Sequence, residues 1–244
     1  MKILTLSVFI TLTFSPIAVY SQLTEKIEKE KVVPGYIIMD GKKIQGYIKE
    51  TGKAYTHGKF YPAPWQFQSD IKFIPRDVFE NTEKITNKLF EKYGPKEIEG
   101  YKYESMVYES VNYTQFSDIG LSDIPRMIFL RKINDEKITL YHLFDSPPHA
   151  TSGPAGFEPL YLKCAVPDIV YLKEKGGNVK KVIFLNIEKE LADCPVVTEK
   201  QKKGEYKVIG NEEKASGLNK LINNTMYREK ICLMAIEDYN KNCK

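Results

Sequence analysis

Residues 35–49, GYIIMDGKKIQGYIK, read as a β-hairpin. Residues 35–39 form an apolar run. Residues 43–49 alternate polar and apolar, as a half-buried strand does. Asp40-Gly41 lies between them, and both positions of that dipeptide tolerate positive φ. Gly46 inside the second arm suggests a bulge. The same grammar continues outward. Residues 71–74 are a short strand stopped by Pro75, and 101–103 and 106–113 are two more. Residues 127–132 and 138–144 flank Asn134-Asp135-Glu136 as a second hairpin. Residues 160–163 and 169–173 are strands around Pro167. Residues 50–70 read as irregular. Residues 82–92 carry Ile85, Leu89 and Phe90 at helical spacing, ended by Gly94-Pro95.

Near Gly176-Gly177 the periodicity changes. Val179, Val182, Ile183, Ile187 and Leu191 recur every three or four residues, predicting an amphipathic helix. Cys194-Pro195 restarts the chain into a short helix that ends near Gly204. Residues 214–242 carry a helical stripe including Leu218, Ile231, Ala235, Ile236 and Tyr239, with Asn223-Asn224-Thr225 as a break point. The expected fold class is α+β. An antiparallel, hairpin-rich region over 35–174, as small sheets or an open barrel, precedes a helical region over 175–244.

The amino terminus supplies an address. Met1-Lys2 is basic, residues 3–14 are apolar apart from Ser and Thr, and Ser15-Pro16 ends the run. Val19-Tyr20-Ser21 offers small residues for cleavage before Gln22. This is a signal-peptide pattern, too short to cross roughly 30 Å of hydrocarbon comfortably. Removing 1–21 from the 244 residues leaves 223, with a net charge of +3 instead of +4. Residues 22–34, rich in alternating Glu and Lys, read as a charged tether or a short helix. The expected location is extracytoplasmic, in the periplasm or on the outer surface, with no membrane-spanning segment after cleavage. So small a charge gives no case for nucleic acid.

The four cysteines, Cys164, Cys194, Cys232 and Cys243, allow three pairings. On one continuous helix Cys232 and Cys243 stand about 16 Å apart along the axis, beyond disulfide reach. Of the two pairings left, Cys194–Cys243 with Cys164–Cys232 is preferred, because it ties the helical restart to the chain end. Cys164–Cys243 with Cys194–Cys232 stays open. The competing expectation is that some of the thiols stay reduced and buried.

Candidate chemistry is sparse. His142, Asp145 and His149 are the only compact His/Asp grouping, without the register of a zinc-protease helix. They read as surface or satisfied side chains, with no metal and no cofactor. The Pro- and Gly-rich stretch 147–156 lacks the Gly-Lys-Ser/Thr of a phosphate loop. Lys200, Lys202 and Lys203 read as a solvated helix end. Tyr61, Trp65 and Phe67, in a proline-stiffened loop, are the candidate ligand-binding residues, since aromatic faces there can stack on sugars or peptides. No catalytic residue stands out.

These motifs resemble a group of uncharacterised exported proteins of Bacteroidetes-type bacteria. The matching residues are Gly35-Tyr36-Ile37 with Asp40-Gly41 and Gly46-Tyr47-Ile48, the stretch 95–110, the hairpin 129–141, Ala192-Asp193-Cys194-Pro195, and Tyr239-Asn240 with Cys243. The resemblance covers most of the chain after residue 21, with 82–92 and 145–157 as departures. It implies export and a Cys194–Cys243 bridge, and no activity. The expected function is therefore a non-catalytic binding or interaction module of the cell envelope, with an envelope protein or a glycan as partner. The alternative is an extracytoplasmic hydrolase with a carboxylate pair dispersed along the chain.

Overall fold

The structure, a computed structural model, describes residues 16–56, 58–114, 125–147, 154–206 and 218–243. It is α+β. Helix α1 (Pro16–Glu30) leads into strands β1 (Val32–Met39) and β2 (Lys42–Lys49). Asp40 and Gly41 have φ of 51° and 71°, the primed-turn geometry that matches strand twist. Each position of β1 has one partner in β2, from Val32↔Lys49 to Met39↔Lys42, so Gly46 marks no bulge. It is a site of close approach instead. A Cβ there would stand 2.2 Å from the Ile74 carbonyl oxygen.

Strands β3 (Lys53–Thr56) and β4 (Lys59–Pro62) form a separate two-stranded hairpin. A 3₁₀ turn over Pro64–Gln68, strand β5 (Ile71–Pro75) and helix α2 (Arg76–Asn81) follow. Then come β6 (Glu91–Tyr93), β7 (Gly100–Tyr103), β8 (Met106–Thr114), β9 (Pro125–Lys132) and β10 (Thr139–Leu143). Helix α3 (Pro154–Cys164), β11 (Asp168–Leu172), β12 (Asn178–Lys181), α4 (Ile187–Glu190), α5 (Pro195–Lys202) and α6 (Leu218–Asn242) complete the chain.

Ten strands make one sheet, in the order β12-β11-β10-β9-β8-β7-β1-β2-β5-β6. Because β12 also pairs in parallel with β8, the five strands β8 to β12 close into a barrel. Closure depends on a change of neighbour along β8. Its first half pairs with β7, from Tyr103↔Met106 to Gly100↔Glu109, and its second half pairs with β12 at Asn112 and Tyr113. The remaining strands leave β8 as an open sheet.

Inside the barrel, alternate residues of all five strands meet in one cluster. It includes Val111, Ile128, Leu130, Leu143, Val170 and Val179. Each large apolar side chain buried there contributes about 1.5–3 kcal/mol. One end of the barrel is plugged by polar groups. The Tyr141 hydroxyl donates to Glu109 (2.7 Å), and the Lys132 ammonium pairs with Glu109 and with Asp135 (2.9 Å). Burial works against the Lys132 ammonium, but the two carboxylates outweigh it and hold its pKa above the ordinary lysine value.

Several expectations are corrected. Residues 82–92 form a 3₁₀ turn and β6 instead of a helix. Ile85, Leu89 and Phe90 bury against the open sheet beside Phe79 without one. Residues 50–70 hold the β3–β4 hairpin. Residues 160–163 belong to helix α3, not to a strand. The stretch 179–191 is β12, a 3₁₀ turn and α4, because Val179 is needed inside the barrel while Val182, Leu185 and Leu191 pack under α6. β12 thus carries the sheet into the region expected to be helical. Helix α6 runs unbroken through residues 223–225, and over residues 22–30 the chain takes the helical of its two expected forms, as part of α1. Leu23 and Ile27 pack beside Val32 and Phe79, and the Lys26 ammonium donates to the Phe79 carbonyl at 2.5 Å.

Helix α6 closes the outer wall of the barrel. Ala235, Ile236 and Tyr239 bury against Ile138 and Tyr171. Asn240 imitates a strand partner: it accepts from the Ile138 N–H (2.8 Å) and donates to the Ile138 carbonyl (3.0 Å). The Tyr239 hydroxyl donates to Asp193 (2.6 Å), and Lys137 and Lys173 each lie 5.1 Å from its ring. Cys194 and Cys243 are joined, with Cα atoms 5.5 Å apart. Cys164 and Cys232 are buried free thiols, so the expected second bridge is not formed.

Candidate functional site: the open end of the barrel

Opposite the polar plug, the barrel opens into a cavity of about 690 Å³. Strand ends and one helix build it. Tyr113 is next to last in β8, Arg126 is second in β9, Asp145 follows β10, and Asp168 begins β11. Leu160, Lys163 and Cys164 of α3 form the facing wall, and Leu143, Phe144 and Val166 add apolar surface. Strand alternation explains the layering. Val111 and Tyr113 share a face of β8, as Ile128 and Arg126 share one of β9. Each strand therefore puts an apolar residue in the barrel core and, one step beyond, a polar one at its rim.

The electrostatics of the rim are mixed. Asp168 pairs with Lys181 at 2.6 Å. The Arg126 guanidinium lies 5.7 Å from the centre of the Tyr113 ring. Burial raises the pKa of the Tyr113 phenol; Lys181 and Arg126 oppose the shift, and Asp145 and Asp168 reinforce it. Four charges thus act on one phenol oxygen. The Cys164 thiol is pushed up by burial and by Asp145, against a weaker pull from Lys163. A thiol held protonated in this way is a poor nucleophile.

The aromatic candidates have another place. Phe67 stacks on Tyr108 at 5.3 Å and meets Tyr103 edge-on at 4.9 Å, and its carbonyl accepts from the Tyr101 hydroxyl at 2.6 Å. It is core, with no face for a ligand. Tyr61, also buried, and half-buried Trp65 each contact the Tyr161 ring on α3 at 5.4 Å. Both brace the helix that walls the cavity instead of lining it.

His142 lies away from the rim, where its Nδ1 accepts from Arg131 at 2.5 Å. Burial, helped by Arg131, lowers its pKa to about 4. His57 and His149 lie outside the described residues. Among the described residues no cluster of His, Cys, Asp and Glu is suited to a metal ion.

Sequence reasoning missed Tyr113, Arg126, Lys163 and Asp168 as site residues. It met Asp145 only in the histidine grouping and Cys164 only as a bridge partner. The one signal that points to several of them is a charged residue at the end of an apolar strand. Comparison with family models, curated proteins and solved structures finds no match to this chain.

Proposed function

We propose that this chain is an exported cell-envelope protein that acts by binding, with its ligand seated at the open end of the barrel. The observation that carries this reading is the cavity of about 690 Å³, which combines an apolar wall with both signs of charge. That size and mixture suit a small-ligand or peptide-end site. Export is supported by the amino-terminal pattern and by the Cys194–Cys243 bridge, since structural disulfides persist in oxidising compartments. Among the described residues no helix is long and apolar enough to cross a membrane. On this reading the chain belongs with the exported proteins it resembles.

One observation favours a hydrolase as the second reading: Asp145 and Asp168 line the same cavity. Against it, Asp168 is committed to Lys181. The test is capture of partners or glycans from envelope extract with the native chain and with Lys163→Glu. A partner lost with that variant supports binding at this site. Hydrolysis of an envelope substrate that disappears in both Asp145→Asn and Asp168→Asn would replace binding with catalysis.

A further inference from the structure

Resting on the binding reading above, the geometry points to a ligand class: a small zwitterion with an ammonium and a carboxylate, an amino acid or dipeptide, held between Asp145 and Lys163 over the Tyr113 hydroxyl.

The argument begins with Tyr113. Only 8% of the residue is exposed, yet it lines the cavity. Its hydroxyl has no hydrogen-bond partner among the described residues, whereas the Tyr101, Tyr141, Tyr171, Tyr206 and Tyr239 hydroxyls all have one. The hydroxyl opens on the cavity and is not sealed in the core, so it is free to bond a polar ligand atom there.

Charge then narrows the class. Asp168 and Lys181 satisfy each other. Among the described residues, Asp145 and Lys163 line the cavity with no hydrogen bond or ion pair of their own. They are opposite in sign and come from different walls, the end of β10 and helix α3. An anion would meet Lys163 and Arg126 and be repelled by Asp145, and a cation the reverse. A ligand carrying both charges complements both, and mismatched ligands are disfavoured by the same pair. The apolar wall of Leu143, Phe144, Leu160 and Val166 takes an aliphatic side chain. The volume admits one amino acid or a short peptide.

The experiment is calorimetric titration of the disulfide-bonded chain, with the site located by amide chemical shifts. The probes are leucyl-alanine, its N-acetyl form, its carboxamide, and inorganic phosphate. Leucyl-alanine is expected to bind and shift resonances at Tyr113, Asp145 and Lys163. Each blocked form should bind about tenfold more weakly. Tyr113→Phe, which keeps the ring in the barrel core, should weaken the free dipeptide several-fold while melting as the native chain does. Asp145→Asn should abolish the preference for a free ammonium. Equal binding of blocked and free peptides, or phosphate binding at the same residues as tightly as the dipeptide, overturns the zwitterion. If no probe binds but Lys163→Glu still loses a partner captured from envelope extract, the ligand class falls and the binding module stands. If neither assay responds, both fall.

Discussion

At the scale of single residues, His142 links burial to pH. Its pKa is about 4 in the folded chain, against the ordinary 6.5. As pH falls from 6.5 to 4 the unfolded chain takes up a proton that the folded chain refuses, so stability falls across that window and levels off below it. The contribution is fully present above pH 6.5. Because His142 is only half-buried, the loss is about 1–2 kcal/mol after discounting for solvent. His142→Asn, which keeps an acceptor for Arg131, is expected to flatten that part of the curve. Urea unfolding at pH 7 and pH 4.5 checks it, the difference from the native chain cancelling the carboxylates. His142 also shows where sequence reading stops. The residue could be flagged, but its pairing with Arg131 rests on the β9–β10 register. The rim residues Tyr113, Arg126, Asp145 and Asp168 are separated by intervals of 13 to 23 positions, and no spacing rule spans them.

Elements divide by how local their causes are. The β1–β2 hairpin was legible because Asp40-Gly41 fixes its turn and alternation fixes its faces. The stretch 179–191 was not, because an apolar step of three or four residues also fits a strand followed by a 3₁₀ turn when two different cores need filling. The bridge between α5 and the end of α6 was legible in part, since helix geometry removed the nearest pair. It closes 49 residues, and in the chain-entropy model it contributes about 4 kcal/mol. Replacing both Cys194 and Cys243 with Ala is expected to lower the melting temperature by about 8–16 °C. Calorimetry under non-reducing conditions measures it. A change below about 2 °C would show that Asn240 and Tyr239 hold α6 without covalent help.

Across the whole molecule, barrel closure was the feature least available to sequence. It requires a four-residue strand, β12, to run parallel to one more than 60 positions earlier. The two free thiols sit in unlike surroundings and report on how the parts open. Cys232 lies in the core shared by α5, α6 and the barrel wall, whereas Cys164 ends a helix held by aromatic contacts at the rim. In native buffer Cys164 is expected to be alkylated at least about tenfold faster than Cys232, because local opening of one wall takes less free energy than exposing the shared core. Pulse alkylation read by mass spectrometry decides it, and equal rates would mean that the wall and the core open only together. The contact between Trp65 and Tyr161 has an optical consequence. Trp65 is the only tryptophan in the chain, and Tyr161 rides on the helix that carries Leu160, Lys163 and Cys164 into the cavity. Any occupant that shifts α3 changes the surroundings of the sole indole. The protein therefore carries its own fluorophore one ring away from the wall of its site, and occupancy can be followed by emission without a label.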